Sequence, residues 1–285
     1  MEIKKAVITA ASPDQRKLPL QTLIDKDGIK KTVLEILLNE IIAAGINNIC
    51  VVVQPDDEKT YQQVIGEYIH YVSFVHQSKP IGYGHALFCA HEFTGNDPFL
   101  HLVGDHLYVN RSNDPCAKDL IEFASKYECA VSTVQPTRES LIPNFGVVGG
   151  KRFQRIKNAY QVELVIEKPT PTEAEQKLMV PGLRAGHYLC FFGMHILTSR
   201  VMSILGDELK KDKKSKINLT YALNILAQNE QYLALEKNDL RYDMGEKYGL
   251  LKAQLALGLY GEDRDKVLTE LLEFFALKDY DIRRR

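Results

Sequence analysis

Short apolar runs alternate with longer amphipathic segments along most of the chain. The runs are rich in valine, isoleucine and phenylalanine and have the length of buried strands. The segments between the early runs have helical spacing and predict helices over Thr32–Ala44 and Asp57–His70. This alternation predicts an α/β fold in which helices cover both faces of a layered sheet. The predicted strands are Ala6–Thr9, Ile49–Val53, Tyr71–Val75, Phe99–Val103, Ala130–Val134, Phe145–Val148, Leu164–Ile166 and Tyr188–Phe192.

Composition narrows the class of protein. The chain has 285 residues, of which 45% are hydrophobic and 26% charged, as is typical of a globular protein with a large core. The formal net charge of -1 provides no field that would attract nucleic acid or an anionic membrane. No apolar stretch approaches the ~20 residues of a membrane span, and the N-terminus has no secretory pattern. We therefore expect neither nucleic-acid nor membrane partners.

The cysteines indicate the redox environment of the protein. They are odd in number, widely separated and never in a CxxC pair, which predicts free thiols in a cytoplasmic protein. They are Cys50, Cys89, Cys116, Cys129 and Cys190.

The segment QSKPIGYGHALFCA follows a predicted strand and opens a helix. Gly82 and Gly84 would let the backbone approach a flat or anionic ligand closely, and the helix beginning near His85 favours negative charge at its N-terminus. Gln77 carries both a donor and an acceptor, as reading the edge of a nucleobase requires. A plain strand-to-helix turn would account for the same glycines, and that alternative stays open.

Several charged residues follow predicted strands. Asp105 comes directly after the strand Phe99–Val103, where a carboxylate can hold a divalent cation against phosphates. Asp243 is a second candidate carboxylate, and Glu167 and Lys168 could accept sugar hydroxyls and neutralise a phosphate. Turn aspartates and an edge-strand ion pair are the structural alternatives. The lysine-rich run over residues 210–216 is typical of a solvated loop, with a phosphate-contacting role as its alternative.

Taken in order, these segments resemble the sugar nucleotidyltransferase family, and within it the bacterial UTP–glucose-1-phosphate uridylyltransferases. The similar segments run from Lys5 to Ala253. They are KAVITAA from Lys5, AAGI from Ala43, QSKPIGYGHALFCA from Gln77, FGVV from Phe145, IEKP from Ile166, RAGHYLCFF from Arg184, INLTYAL from Ile217 and YDMGEKYGLLKA from Tyr242.

The resemblance implies an architecture. It implies a Rossmann-like three-layer α/β/α nucleotidyltransferase fold with a mixed, mostly parallel central sheet. Residues 1–258 would form the catalytic-type domain. Residues 259–285 would form a C-terminal helix that packs on this domain or mediates assembly.

The resemblance also implies roles for individual residues in a reaction between UTP and glucose-1-phosphate. An oxygen of the sugar phosphate would attack the α-phosphate in line and release pyrophosphate, without a covalent enzyme intermediate. The metal would be Mg²⁺, held by Asp105 and Asp243. Arg16 and Lys168 would be catalytic contacts to the phosphates. The remaining implied roles are nucleotide binding for Ala10, Ala11, Gln77, Gly82 and His85, and sugar binding for Gly146, Glu167 and Gly186.

The loop after the first strand departs from the family pattern. The family has Gly-x-Gly-Thr-Arg after the two alanines, whereas this chain has SPDQR, so that only Arg16 is in register. Pro13 has no N–H to donate, Asp14 brings a negative charge, and Leu20 or Gln21 stands where the family has a lysine. Each missing charge-assisted contact costs about 1.5–3 kcal/mol. Two alternatives therefore stay open: a catalytically impaired regulatory relative that binds a sugar nucleotide, and a transferase for another nucleotide–sugar pair.

The C-terminal segment has an apolar stripe at helical spacing. We expect this stripe either to pack on its own domain or to form a subunit interface, and a homo-oligomer follows from the second case. The stripe comprises Val267, Leu268, Leu271, Leu272 and Phe275.

Overall fold

The computed structural model describes residues 1–111, 114–211 and 216–282, with side chains described up to Leu277. Strands and helices alternate through the first half, as the hydrophobic pattern predicts. The strands are β1 (Lys5–Thr9), β2 (Thr22–Ile24), β3 (Lys30–Thr32), β4 (Asn48–Val53), β5 (Val72–His76), β6 (Phe99–Val103), β7 (His106–Val109), β8 (Ala130–Arg138), β9 (Gly146–Arg152), β10 (Ala159–Glu167), β11 (His187–Leu197), β12 (Tyr232–Glu236) and β13 (Leu240–Asp243).

The helices lie mostly between strands. They are α1 (Val33–Ala43), α2 (Glu58–Val64), α3 (Tyr83–Cys89), α4 (His91–Thr94), α5 (Lys118–Tyr127), α6 (Pro171–Lys177), α7 (Ser199–Lys211), α8 (Leu219–Asn229), α9 (Gly249–Tyr260) and α10 (Arg264–Ile282). Within residues 1–111, 114–211 and 216–282, no helix is both long and apolar enough to cross a membrane.

Nine of the described strands form one mixed sheet, in the order β5-β4-β1-β6-β11-β8-β12-β10-β9. The strands β10 and β11 run opposite to the others, because β11 is antiparallel to β6, β8 and β9 and β10 is antiparallel to β9 and β12. The pairs β1–β4, β1–β6, β4–β5 and β8–β12 are parallel. The prediction of a mixed, mostly parallel sheet is confirmed.

Two apolar layers sandwich the sheet. Alternate side chains of β1 enter opposite layers, with Ala6 and Ile8 in one and Val7 in the other, as the two-residue period of a strand requires. Buried residues of α1, α5 and α9 belong to the first layer, and those of α3, α7 and α8 to the second. The arrangement is the predicted three-layer α/β/α fold.

The helix boundaries follow local chemistry. α1 begins after Thr32, whose hydroxyl accepts from the backbone N–H of Glu35, while the Glu35 carboxylate accepts from the Thr32 N–H. The predicted helix over Asp57–His70 is wrong as one element. It divides into α2 and a 3-10 turn at Gly66–His70, because Gly66 has a φ of 50° that no α-helix contains.

The parallel strands β1, β4, β5 and β6 all end at the same edge of the sheet. Their carboxyl ends are the ordinary place for a ligand in an open α/β sheet. Two short antiparallel pairs lie outside the central sheet: β2 with β3, which are close in sequence, and β7 with β13, which are far apart in sequence.

Candidate functional site

A cleft of about 570 Å³ opens at the carboxyl ends of β1, β5 and β6. Its lining brings together segments that are far apart in the sequence. The lining residues are Thr9, Ala10, Ala11, Ser12, Pro13, Asp14, Gln15, Pro19, Gln77, Pro80, Gly82, Tyr83, Ala86, Val103, Asp105, Lys168 and Lys216. Of the predicted site residues, the cleft gathers Ala10, Ala11, Gln77, Gly82, Asp105 and Lys168. Arg16, His85, Gly146, Glu167, Gly186 and Asp243 lie outside its lining.

One end of the cleft contains a fixed amide. The buried Gln77 side chain donates from Nε2 to the carbonyl of Gly82 at 3.1 Å, and the same nitrogen lies 3.0 Å from Nδ1 of His85. Burial lowers the pKa of His85, which favours a neutral imidazole that can accept this hydrogen bond. With both amide protons engaged, Gln77 offers the cleft its Oε1 as an acceptor. His85 therefore contacts Gln77 and lies outside the cleft lining, and its role in nucleotide binding stays a prediction.

The glycines of the GYG sequence are needed for packing. Gly82 has a φ of 113°, and a Cβ there would lie 2.4 Å from the carbonyl oxygen of Ile217. The N–H of Gly84 donates to that same oxygen at 2.9 Å. The segment before α8 is thereby joined to the start of α3. The close backbone approach at these glycines is made to the protein's own backbone at Ile217.

Tyr83, at the start of α3, lines the cleft and is held by a buried histidine. Its hydroxyl lies 2.5 Å from Nε2 of His101, and Nδ1 of His101 lies 3.0 Å from the carbonyl of Val7. Since a carbonyl can only accept, Nδ1 carries the proton and the tyrosine hydroxyl donates to Nε2. Burial lowers the pKa of His101 to about 4, so this tautomer is neutral at pH 7. The signal in the sequence is a histidine inside the otherwise apolar strand FLHLV.

The structure brings Asp105 and Asp243 together, although 137 residues separate them. One ligand-type atom from each of Asp105, His106 and Asp243 lies within 4.8 Å of the other two. The ladder between β7 and β13 places Asp243 opposite His106, and the N–H of Met244 donates to the carbonyl of Asp105 at 3.0 Å. His106 is not among the metal ligands predicted from the sequence, because a histidine that follows an aspartate is not distinctive by itself.

Two lysines provide the positive charge of the cleft. Lys168 has a φ of 48°, uncommon for a residue with a Cβ, and its N–H donates to the carbonyl of Phe145 at 2.9 Å. This left-handed conformation turns the chain at the end of β10, and Lys168 enters the cleft lining while Glu167 does not. Lys216 is the second lysine, from the lysine-rich run; residues 212–215 of that run lie outside the described part of the chain.

The residues predicted to bind the sugar form no single group. A Cβ on Gly146 would lie 3.0 Å from Oε2 of Glu167, so these two are neighbours. The same Glu167 oxygen accepts from the hydroxyl of Thr220 at 3.0 Å. Gly186 lies just before β11, with a φ of 68°, and its carbonyl accepts from the N–H of Glu139 at 3.0 Å. The sugar-binding assignments stay predictions.

The SPDQR loop is a closed turn. The carbonyl of Ser12 accepts from the N–H groups of Gln15 at 3.2 Å and Arg16 at 2.9 Å, so these donors are directed into the loop. Nη1 of Arg16 lies 2.8 Å from both carboxylate oxygens of Asp57. The guanidinium of Arg16 therefore binds Asp57 in this structure, and its contact with the phosphates stays a prediction. A buried tyrosine, Tyr61, also donates to the Arg16 carbonyl at 2.6 Å.

Two curated proteins are similar to this chain over most of its length. The UTP–glucose-1-phosphate uridylyltransferase YngB of Bacillus subtilis (strain 168) is 27% identical over 300 residues, covering 95% of each chain. UTP–glucose-1-phosphate uridylyltransferase 2 of Streptococcus pyogenes serotype M3 is 26% identical, covering 90% of this chain and 91% of the relative.

Solved structures show the same fold. A UDP-glucose pyrophosphorylase complexed with UDP-glucose superimposes with a TM-score of 0.71 at 24% identity, covering 89% of this chain and 98% of the other. The UDP-glucose pyrophosphorylase from Acinetobacter baumannii gives a TM-score of 0.73 at 23% identity, covering 95% and 99%. The family model described as nucleotidyl transferase matches residues 23–258. The chain belongs to the nucleotidyl transferase family, as its sequence motifs predict.

Proposed function

We propose that this protein transfers a uridylyl group from UTP to glucose-1-phosphate, giving UDP-glucose and pyrophosphate. The observation that carries the proposal is the convergence of Gln77, Asp105 and Lys168 on one cleft. These residues supply an acceptor for a base, a carboxylate for a cation and a cation for phosphate. The names of the curated relatives support the same substrates.

The amide of Gln77 supports a particular kind of base. Since its Nε2 donates to Gly82, the remaining Oε1 accepts, and it matches a base that presents an N–H at its pairing edge. Uracil and thymine have such an N–H at ring atom N3, whereas cytosine has a bare acceptor at N3 and carries its donor on the exocyclic N4. The proposal therefore names UTP, with dTTP as the pyrimidine nucleotide that this contact alone would not reject.

The donor set of Asp105, His106 and Asp243 fits a divalent cation. The side chains of Asp105 and His106 are only 12% and 14% exposed, and the β7–β13 ladder fixes His106 opposite Asp243. A divalent cation such as Mg²⁺, held there, would neutralise charge on the triphosphate. The residues themselves position the nucleotide: Tyr83 and the alanines form the apolar wall, and Lys168 reaches the phosphates. Catalysis then rests on orientation and charge neutralisation.

The pairing of Arg16 with Asp57 favours a second function. A loop whose arginine is engaged within the protein, and whose Asp14 carboxylate lines the cleft, gives weaker support to a triphosphate than a glycine loop. This observation is what a regulatory relative that binds UDP-glucose without turnover would show. A transferase for another sugar-1-phosphate remains the third candidate, because the sugar contacts are not gathered in the cleft.

Product formation tests the proposal. We expect the purified chain to convert UTP and glucose-1-phosphate into UDP-glucose in the presence of Mg²⁺, measured by chromatography of the nucleotides. Asp105→Asn should lower the rate at least about 100-fold, because it removes a carboxylate that holds the cation. Asp265→Asn, at a carboxylate that is 92% exposed on α10, is the matched control and should retain the rate. Equal rates in both variants would remove Asp105 from the mechanism.

The proposal also names a cellular compartment, the cytoplasm. All five cysteines carry free thiols, which supports a reducing, cytoplasmic compartment.

A further inference from the structure

His106 lies where a third metal ligand would be, and no role follows for it from the resemblance. Its Nδ1 is 2.8 Å from Oδ1 of Asp105, and its position on β7 is directly opposite Asp243 on β13. Residues opposite each other on an antiparallel ladder present their side chains to the same face. The imidazole and the Asp243 carboxylate therefore converge from two strands that hydrogen bonds hold in register, and the Asp105 carboxylate joins them from the residue before β7.

The ring of His106 is seated against the central sheet. Gly193 of β11 has a φ of 98°, and a Cβ there would lie 3.4 Å from Cδ2 of His106 and 2.7 Å from the Tyr108 hydroxyl. Tyr108 in turn donates to the carbonyl of Gly193 at 2.8 Å. The absence of a side chain at Gly193 thus leaves the room that the histidine and the tyrosine occupy.

The spacing of the three groups suits a metal ion. Ligand atoms around a six-coordinate ion with bonds of about 2.1 Å lie about 3 to 4.2 Å apart. The three atoms here lie within 4.8 Å of one another, so a small side-chain rotation would close the set.

We propose that His106 is a direct metal ligand and makes this site select first-row transition metals over Mg²⁺. The inference deepens the proposed function and rests on it for the role of the cation, but not for the binding itself. Mg²⁺ prefers oxygen ligands and retains its waters, whereas imidazole favours Co²⁺, Ni²⁺ and Zn²⁺, with Mn²⁺ accepting both donor types. Two carboxylates and one imidazole are therefore a donor set for Mn²⁺ or Co²⁺ before Mg²⁺.

The alternative is that His106 donates from Nδ1 to Asp105 and only orients that carboxylate. Such a partner typically changes metal affinity 10–100-fold by way of the ligand it holds, and it does so for every metal that the carboxylates bind. A direct ligand has a different signature, because its loss lowers the affinity for Co²⁺ and leaves the affinity for Mg²⁺ nearly unchanged.

Measurements of metal binding distinguish a His106 that coordinates the metal from a His106 that only orients Asp105. The chelator-treated full chain is titrated calorimetrically with Co²⁺ alone and with Mg²⁺ alone, as wild type, His106→Asn and the exposed-histidine control His70→Asn. Pulsed electron paramagnetic resonance of bound Mn²⁺ reports whether an imidazole nitrogen is coordinated. We expect nitrogen coupling in wild type and in His70→Asn. In His106→Asn we expect its loss, together with a drop in Co²⁺ affinity of at least about 10-fold and a Mg²⁺ affinity within about 3-fold of wild type.

Three outcomes would overturn the inference: no nitrogen coupling in wild type, a parallel loss of Co²⁺ and Mg²⁺ affinity in the variant, or no loss of either. His106→Asp keeps the inference testable if His106→Asn does not fold, since it replaces the nitrogen by oxygen and should shift preference to Mg²⁺. Because no substrate is present, the result is separate from the proposed function. Failure of turnover with intact nitrogen coupling would count against the transferase alone.

Discussion

At the scale of single residues, the lining of the cleft carries both positive and negative side chains. Lys168 and Lys216 line it together with Asp14 and Asp105. A bound triphosphate would be attracted to the lysines and repelled by Asp14, and a cation at Asp105 would offset part of that repulsion. We therefore expect phosphate affinity to depend strongly on each lysine.

Substitution of Lys168 tests this dependence. We expect Lys168→Met to lower kcat/KM for UTP about 10–100-fold, because one charge-assisted phosphate contact contributes about 1.5–3 kcal/mol. Lys151→Met is the control, since Lys151 is an exposed lysine on β9 that pairs with Glu163 at 2.8 Å. The measurement is the steady-state kcat/KM for UTP of both variants. Equal kcat/KM in Lys168→Met and Lys151→Met would show that Lys168 does not contact the phosphates.

The residues of the site differ in how far the sequence could predict them. Gln77 and Asp105 follow apolar runs, so the end of a strand identifies them from the sequence. The meeting of His106 with Asp243 depends on the pairing of β7 with β13 across 130 residues, which local patterns do not contain. The ion pair of Arg16 with Asp57 also depends on tertiary packing, and for that reason the sequence could not predict where the guanidinium points.

At the scale of elements, the half-buried carboxyl group of Glu40 joins two helices. Oε1 of Glu40, in α1, accepts from the N–H of Ala117 at 2.7 Å, at the start of α5. Burial raises the pKa of Glu40 to about 7, although nearby Lys237 favours the charged form. Lys237 itself is buried and pairs with Asp119 at 2.6 Å and Asp239 at 2.9 Å. The first helical layer is thus held by polar contacts as well as apolar packing.

The raised pKa gives a pH dependence of defined sign. Between pH 4.5 and about 7 the folded state binds more protons at Glu40 than the unfolded state, so the free energy of unfolding falls as pH rises through this window. Glu40→Gln retains an acceptor for Ala117 without the charge. We expect it to be more stable than wild type by about 1–3 kcal/mol at pH 8, and about equal at pH 4.5.

Urea unfolding at both pH values provides the measurement. Glu122→Gln, at an exposed glutamate of α5, is the control and should change stability by less than about 0.5 kcal/mol at either pH. A Glu40→Gln variant that is destabilised at pH 8 would show that the charged carboxylate stabilises the α1–α5 contact.

Short elements are those that the sequence predicted least well. β2, β3, β7 and β13 each contain three or four residues, too few for a two-residue period to stand out. β12 (YLALE) is longer, but its pattern fits a helix as well as a strand. The strands β1, β4 and β6 were predicted to within one residue, because they are buried on both faces and consist almost entirely of apolar residues.

At the scale of the whole molecule, helix α10 exposes much of its apolar surface. α10 packs on α9, where Val267 lies against Gly258, but most of its large apolar side chains are exposed. The exposed fractions are 61% for Leu272, 62% for Phe274, 57% for Phe275 and 68% for Leu277. Contiguous exposed apolar surface of this kind marks an interaction site in many proteins. A homo-oligomer through α10 therefore stays our prediction.

Light scattering tests this assembly. We expect the full chain to have at least twice its monomer mass, and the double variant Leu272→Lys, Phe275→Lys to be monomeric with an unchanged circular dichroism spectrum. A truncation before Asp263 should behave in the same way. If the mass per particle is the same in all three proteins, α10 is not the interface.

The central claim, that the chain is a working uridylyltransferase despite its SPDQR loop, is tested most directly by the rate of pyrophosphate release. Glucose-1-phosphate and Mg²⁺ are held constant while UTP is replaced in turn by dTTP, CTP, ATP and GTP. We expect turnover that is fastest with UTP and slow with CTP, since Oε1 of Gln77 is an acceptor for a ring N–H at N3, which cytosine lacks. Absence of turnover with every nucleotide, together with tight binding of UDP-glucose, would contradict it and identify the protein as a sugar-nucleotide sensor.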